Sequence, residues 1–277
     1  MDNVDAETVE GFGDEWTRMS QDGMSEAEAR DAFEDYFHFF PWAELPSDAR
    51  GADFGCGSGR WAVQVAPRVG HLTLVDASHE ALAVAEKKLR SRQQQNFSAR
   101  HASLTESGIP EGSLDFAYCL GVVHHMPDTE AALAAIASTL KPGAPFLGYI
   151  YYALENRPAW FRALWRASNL IRRQVSSLPH GARFAASQAL AGAVYWPLAR
   201  TGRALDSLGL MPAAWPLSYY RNRSFYTMRT DALDRFGTRL EKRFTKDETR
   251  GMLERSGFSD IVFSDRQPHW TVLARKQ

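Results

Sequence analysis

From residue 50 to residue 152, two patterns of hydrophobic and polar positions follow one another repeatedly along the chain. Short apolar runs rich in β-branched and aromatic residues predict strands, and longer segments with an apolar period near 3.6 predict helices. Strands are predicted near 51–55, 71–76, 97–102, 114–119 and 145–152, and helices near 59–67, 78–92 and 128–140. Because strands and helices alternate, we expect a doubly wound α/β fold, in which helices cover both faces of a parallel sheet.

The segments on either side of this alternation predict further elements. Residues 24–40 have helical spacing, with Ser25 as N-cap and Glu28 three residues later as its capping-box partner. After residue 240 the pattern predicts a helix over 245–256 and two closing strands over 260–264 and 270–274. The segment 153–240 does not fit the alternation, so it is interpreted as a helical insertion after the fifth strand.

The insertion differs from the rest of the chain in charge. Residues 156–223 contain ten Arg, no Lys and one acid, a net charge of +9, whereas the whole chain of 277 residues has −1. Four of the eight Trp also lie there. Four interpretations stay open: a cap that receives an anionic or aromatic ligand, a homodimer interface, a peripheral contact with an anionic membrane, or a solvated basic face. A nucleic-acid partner is disfavoured, because no RNA-binding motif is present.

Composition excludes several other classes of protein. Hydrophobic residues make up 44% and charged residues 23%, which is ordinary for a globular domain. Cys56 and Cys119 are the only cysteines, so neither a disulfide framework nor a zinc spacing can be built, and no metal site is expected. The acidic N-terminus lacks signal-peptide features, and no apolar run is long enough to span a bilayer. We therefore expect a cytoplasmic protein without stable membrane insertion.

The most specific motif is Asp-Phe-Gly-Cys-Gly-Ser-Gly, which follows the first predicted strand. Gly55, Gly57 and Gly59 allow a ligand to approach the backbone closely. Asp76 ends the next strand, 21 positions after Gly55, where a carboxylate can accept both hydroxyls of a ribose. A dinucleotide fingerprint requires G-x-G-x-x-G, but Arg60 occupies its last glycine position. The pattern therefore indicates an adenosine-containing cofactor other than NAD.

This motif resembles motif I of the class I S-adenosylmethionine-dependent methyltransferases, and residues 114–128 resemble their fourth motif. The resemblance implies a Rossmann-like α/β sheet with an antiparallel final strand. The implied domains are an N-terminal helical lid (1–48), a cofactor-binding core (49–152), the insertion or substrate cap (153–240) and a C-terminal helix and hairpin (241–277). It also implies S-adenosylmethionine as cofactor and S-adenosylhomocysteine as product.

The resemblance implies a set of cofactor-binding residues, with Ser103 standing where the family usually has Asp: Asp53, Gly55, Gly57, Gly59, Asp76, Ala77, Ser103, Leu104, Leu120 and Gly121. His124 and Tyr152 are the candidate catalytic residues, because imidazole suits proton transfer at neutral pH and a tyrosine hydroxyl at the sheet edge can orient an acceptor. The candidate substrate contacts are Trp16, His124, Tyr151, Tyr219, Tyr220, Arg221, Arg223 and Tyr226.

The function expected from these residues is transfer of a methyl group to an O, N or S atom of a small anionic or aromatic molecule. Two alternatives stay open. An NAD(P)-dependent oxidoreductase would use the same sheet edge, although no hydride-transfer constellation is visible. A non-catalytic S-adenosylmethionine-binding or scaffold protein would bind the cofactor without turnover.

Overall fold

The fold is described from a computed structural model, which covers residues 2–277. Its centre is a seven-stranded sheet with the order β3-β2-β1-β4-β5-β7-β6, in which β7 is antiparallel to both β5 and β6 and the first five strands are parallel. The strands are β1 Arg50–Phe54, β2 His71–Asp76, β3 Phe97–His101, β4 Phe116–Leu120, β5 Pro145–Tyr149, β6 Phe258–Phe263 and β7 Thr271–Lys276. The doubly wound α/β prediction is confirmed, including the antiparallel final strand.

Ten α-helices accompany the sheet in the described residues. They are α1 Ala6–Arg18, α2 Glu26–Phe37, α3 Ala62–Val65, α4 His79–Ser91, α5 Thr129–Thr139, α6 Ala159–Ser176, α7 His180–Leu190, α8 Trp196–Ser207, α9 Phe225–Gly237 and α10 Lys246–Arg255. Thr245 and Glu248 form a reciprocal capping box at the start of α10. The helix predicted over 59–67 is shorter, because Pro67 lacks a backbone N–H donor and the chain passes into a 3-10 turn at Ala66.

Alternate residues of the strands pack into two separate hydrophobic cores. Phe54 and Val75 belong to the core on one face, which α5 and α10 cover, whereas Leu72 and Leu74 belong to the core on the other face. Since side chains of a strand point alternately to the two faces, both faces of the central strands are buried. This burial explains why the sequences of these strands are nearly continuous runs of apolar residues.

The chain divides into two compact units. The first contains residues 1–17, 30–153 and 240–277, and the second contains 18–29 and 154–239. The second unit has its own core, in which Tyr195, Met228 and Phe236 are buried. Its limits at 153/154 and 239/240 lie close to those predicted for the insertion. Residues from the predicted N-terminal lid, 1–48, fall in both units, and their role as a lid stays a prediction.

Contacts of Glu28 explain why residues 18–29 belong to the second unit. Its carboxylate accepts hydrogen bonds from the backbone N–H of Ser224 and from the hydroxyl of Thr227, each at 2.8 Å. Ser25 does cap the backbone N–H of Glu28 at 3.2 Å. The reciprocal half of the predicted capping box is not made, because the Glu28 side chain turns to Ser224 and Thr227. That part of the prediction was wrong, since a distant partner outcompetes the local one.

No helix among residues 2–277 combines the length and the apolar content that crossing a membrane requires.

Candidate functional site

The glycine loop lies between β1 and α3, at the carboxyl end of the parallel strands. Gly55, Gly57 and Gly59 have φ angles of +77°, +51° and +74°, a backbone region that other residues rarely adopt. A β-carbon on Gly55 would stand 2.4 Å from a methyl group of Val122, and one on Gly59 would stand 2.9 Å from that of Ala85. The three glycines are therefore required by both backbone conformation and close packing.

Asp76 connects the end of β2 to this loop. Its Oδ2 accepts the backbone N–H of Gly57 and its Oδ1 accepts that of Ser78, each at 2.8 Å. Burial raises the pKa of Asp76, and these two hydrogen bonds oppose the rise. A carboxylate has about four lone-pair sites, so acceptor capacity remains on both oxygens. The position and the remaining capacity fit a ribose with two adjacent hydroxyls.

Asp53 lies in β1 and is only 1% exposed. It is in register with Tyr118 of β4, whose hydroxyl donates to Asp53 Oδ2 at 2.9 Å. Burial raises the pKa of Asp53 from 3.8 to about 8, against the opposing effect of the Tyr118 hydrogen bond. Tyr118 did not emerge from the sequence as a site residue. The signal that could have identified it is the presence of a hydroxyl group in a strand whose other residues are apolar.

The remaining predicted cofactor residues lie at strand ends. The carbonyl of Ala77 accepts a hydrogen bond from the ring of His101 at 2.9 Å. Ser103 is fully buried and its hydroxyl pairs with that of Thr105 at 3.1 Å, while Leu104 is 3% exposed. Leu120 ends β4, and Gly121 follows with φ +84° and open space where a β-carbon would stand. The assignment of these residues to the cofactor stays a prediction.

Helix α1 lies against the glycine loop. The indole Nε1 of Trp16 is 3.0 Å from the position that a β-carbon on Gly57 would take, and a β-carbon on Gly13 would stand 2.8 Å from the Ser78 hydroxyl. Phe12 stacks with Trp16 and meets the ring of His125 edge-on at 5.1 Å. Two glycines within α1 weaken its helical pattern, which is why the sequence did not define its limits.

The 3-10 turn after β4 carries two buried histidines, and their hydrogen bonds assign opposite tautomers. His124 Nδ1 accepts the backbone N–H of Tyr151 at 3.3 Å, so the proton of the neutral ring is on Nε2. His124 Nε2 is buried and has no hydrogen-bond partner among residues 2–277. Burial lowers the pKa of His124 well below its ordinary value, and the charges of His125 and Arg243 lower it further.

His125 has the other arrangement. Its Nδ1 lies 2.6 Å from the carbonyl oxygen of Leu240, so Nδ1 carries the proton and Nε2 carries the basic lone pair of the neutral ring. The two rings are 4.2 Å apart. Each neutral ring thus carries its proton on a different nitrogen, and the catalytic role of His124 stays a prediction.

Tyr151 and Arg243 complete the surroundings of His124. The Tyr151 ring stacks on the His124 ring with centroids 3.7 Å apart, and the guanidinium of Arg243 lies 5.0 Å from the Tyr151 ring. Arg243 also forms an ion pair with Glu241 at 2.9 Å. The sequence contained no signal for Arg243, because it lies 92 positions after Tyr151 and outside any motif.

Tyr152 differs from its neighbour in its surroundings. Its ring meets those of His269 and Trp270 edge-on at 5.4 Å and 5.7 Å. The contact with His124 is therefore made by Tyr151, and a catalytic role for Tyr152 stays a prediction.

The predicted substrate residues of the insertion make contacts within the second unit. Tyr219 packs against Tyr220 and lies 4.9 Å from the Arg223 guanidinium. Arg221 pairs with Asp206 at 2.9 Å, and the Tyr226 hydroxyl accepts the backbone N–H of Gln21 at 2.9 Å. These contacts give each side chain a structural role in its own unit, and acceptor binding by them stays a prediction.

Residues 52–143 match the methyltransferase domain family. The chain is 33% identical over 107 residues to a ubiquinone biosynthesis O-methyltransferase of Aromatoleum aromaticum, covering 38% of this chain and 43% of that protein. It is 30% identical over 191 residues to the protein of the same name from Xanthomonas axonopodis pv. citri, covering 67% of this chain and 74% of that protein.

A solved structure from Bacillus halodurans, which carries a provisional methyltransferase name, has a TM-score of 0.52 at 13% identity and covers 83% of this chain and 70% of its own. That likeness supports the fold alone. The chain spans less than half the length of several curated relatives that it matches, 43%, 45% and 42% for three of them. The Xanthomonas match, the domain match, the glycine loop and the Asp76 carboxylate agree with one another, and the chain therefore belongs to the class I S-adenosylmethionine-dependent methyltransferases.

Proposed function

We propose that this protein transfers the methyl group of S-adenosylmethionine to an O, N or S atom of a small anionic or aromatic molecule. The observation that carries the proposal is Asp76, whose carboxylate binds the glycine loop and keeps acceptor capacity for a ribose. When bound, the cofactor supplies a methyl group activated by a positively charged sulfur. The residues of the chain must hold the two reactants in line, and orientation of this kind can contribute roughly 7–11 kcal/mol to lowering a barrier.

The surroundings of His124 support the acceptor class. The Arg243 guanidinium lies beside the Tyr151 ring and pairs with Glu241, and a guanidinium is the group whose planar fork suits a carboxylate or phosphate of an anionic acceptor. The rings of Phe12 and Tyr151 give these surroundings an aromatic character that suits an aromatic acceptor. His124 would donate from Nε2 to an acceptor oxygen, and His125 Nε2 would accept a proton if the methylated atom is a hydroxyl.

The relatives named as O-methyltransferases support an oxygen acceptor as the first class to try. We expect Arg243→Gln to raise KM for an anionic acceptor by about 10-fold with little change in kcat, because the charge contributes to binding in both ground and transition states. The variant Arg250→Gln, in α10, is a control of equal charge change. An equal KM for both variants and the wild type would remove Arg243 from acceptor binding.

Calorimetric titration with S-adenosylmethionine and S-adenosylhomocysteine tests the cofactor site. We expect Asp76→Asn to weaken both by about 100-fold, because two hydrogen bonds to a charged acceptor contribute about 1.5 kcal/mol each. The exposed Asp247→Asn is the matched control. Unchanged affinity of the Asp76 variant would refute the ribose role. Binding of NAD(P) instead would favour an oxidoreductase, and cofactor binding without methyl transfer to any acceptor would favour a scaffold.

A further inference from the structure

Helix α6 of the second unit exposes an apolar face. Trp160, Leu164 and Ile171 are 53%, 51% and 49% exposed, and their spacing of four and seven residues places them on one stripe of the helix. Leu170 beside them is 64% exposed. The helix buries Arg172 and Ser176 away from this stripe, and Val175, four residues after Ile171, is buried where the stripe reaches the end of the helix. The part of the stripe between residues 160 and 171 is therefore not used by α6 to pack into its own unit.

A row of arginines borders the opposite edge of the exposed face of α6, about 160° around the helix from the stripe, and Leu170 lies between the two. Arg162, Arg166 and Arg173 recur at spacings of four and seven residues and are all exposed. Within the part of the chain that the structure describes, none of these three side chains forms a hydrogen bond, an ion pair or a ring contact. Other arginines of the unit are structural. Arg172, for example, donates to the carbonyl of Thr238 at 2.6 Å.

We propose that the apolar stripe and the arginine row of α6 bind the surface of an anionic lipid bilayer. A helix whose exposed face carries Trp and aliphatic side chains and is bordered by cations can bury the apolar side chains at the acyl boundary while the guanidinium groups bind lipid phosphates. Between residues 160 and 171 the stripe is made of Trp, Ala, Leu and Ile. These side chains suit the non-directional contact that lipid offers. A protein partner would instead be expected to form many direct hydrogen bonds across the interface.

Charge argues against a second copy of this chain as the occupant. Residues 156–223 contain ten Arg and one acid, so a self-complementary contact would bring two strongly positive surfaces together. An anionic bilayer instead supplies the opposite charge over the whole length of the helix. Each arginine near such a surface strengthens association by about 5-fold, so the row of three is expected to contribute about 100-fold.

Co-sedimentation of the full chain with lipid vesicles tests the proposal. The probes are vesicles of phosphatidylcholine alone and of phosphatidylcholine mixed with phosphatidylglycerol. We expect the wild type to bind the mixed vesicles and not the neutral ones, with binding that weakens as salt is added. Replacing Arg162, Arg166 and Arg173 together by Gln is expected to lower the affinity about 100-fold.

Two matched controls distinguish effects specific to the α6 face from effects of changing charge or apolar surface elsewhere on the protein. Replacing Lys87, Arg90 and Arg92 by Gln makes the same charge change on exposed residues of the sheet unit and should leave vesicle binding within about 3-fold of the wild type. The pair Leu164→Glu and Ile171→Glu should abolish binding. Val262→Glu, at an exposed apolar residue of β6, should not affect it. Because all these side chains are exposed, calorimetric cofactor affinity and the thermal midpoint should stay unchanged, which verifies folding independently of methyl transfer.

Three outcomes would overturn the proposal. The first is absence of binding to the mixed vesicles. The second is equal weakening by the α6 arginine variant and by the Lys87, Arg90 and Arg92 variant, which would indicate unspecific attraction. The third is a wild-type dimer that the Leu164 and Ile171 variant dissociates while no vesicle binding occurs, which would identify a second copy as the occupant. Loss of vesicle binding in the α6 variants alone, with cofactor binding intact, would support it.

Discussion

The buried carboxyl of Asp53 makes the stability of this protein depend on pH in a direction unusual for aspartate. Asp53 is 1% exposed and has the Tyr118 hydroxyl as donor. Burial raises its pKa from 3.8 to about 8. Since the pKa in the folded state lies above that of the unfolded chain, the folded protein retains a proton that the unfolded chain releases between about pH 4 and pH 8.

The magnitude follows from this difference. In that window the unfolded state binds fewer protons, so the free energy of unfolding falls by roughly 1.4 kcal/mol for each pH unit of increase. The full penalty, on the order of 5 kcal/mol, is present above pH 8 and disappears as the pH falls below 4. Asp53→Asn removes the ionisable group and keeps an oxygen to accept from Tyr118. We therefore expect the free energy of unfolding of the variant, relative to that of the wild type, to increase from pH 5 to pH 8. Above pH 8 the difference should stay constant.

Urea denaturation of the cofactor-free protein at each pH, followed by tryptophan fluorescence, measures this difference. The exposed Asp247→Asn controls for the change in net charge. The slope against pH is the decisive quantity, because any fixed cost of packing the amide shifts all points equally. Parallel curves for wild type and Asp53→Asn would show that Asp53 is ionised in the folded protein at neutral pH, and the reasoning from burial would be refuted.

Further predictions concern the histidine turn and the glycine loop. His124→Gln places an amide N–H near the original Nε2, so we expect it to retain kcat/KM within about 10-fold, whereas His124→Asn keeps only the Nδ1-like acceptor and should lose about 100-fold. Equal losses in the two variants would argue against a donor role. Gly59→Ala forces a side chain into φ +74° and against Ala85, and it should lower the free energy of unfolding by about 2–3 kcal/mol. Gly181→Ala, in an exposed helical position with open space, should raise it by up to about 1 kcal/mol, and a similar loss at both positions would contradict the strain argument.

The sequence by itself determined the sheet and the cofactor loop. Strand and helix periods are local, and turn chemistry depends on residues a few positions apart. That is why the glycine motif and the acid at the end of β2 were predicted in place. The predicted capping box failed at Glu28, because its side chain binds partners 196 and 199 positions away.

The tertiary structure alone decided the chemistry of individual side chains. The pKa of Asp53 depends on burial and on Tyr118, 65 positions later, which reaches it only because β1 and β4 are neighbours. The tautomer of His125 depends on the Leu240 carbonyl, 115 positions away. The charge beside His124 comes from Arg243, which belongs to no motif. Protonation and hydrogen bonding depend on the groups within a few ångströms, and the fold brings those groups together from parts of the chain that carry no local signal of one another.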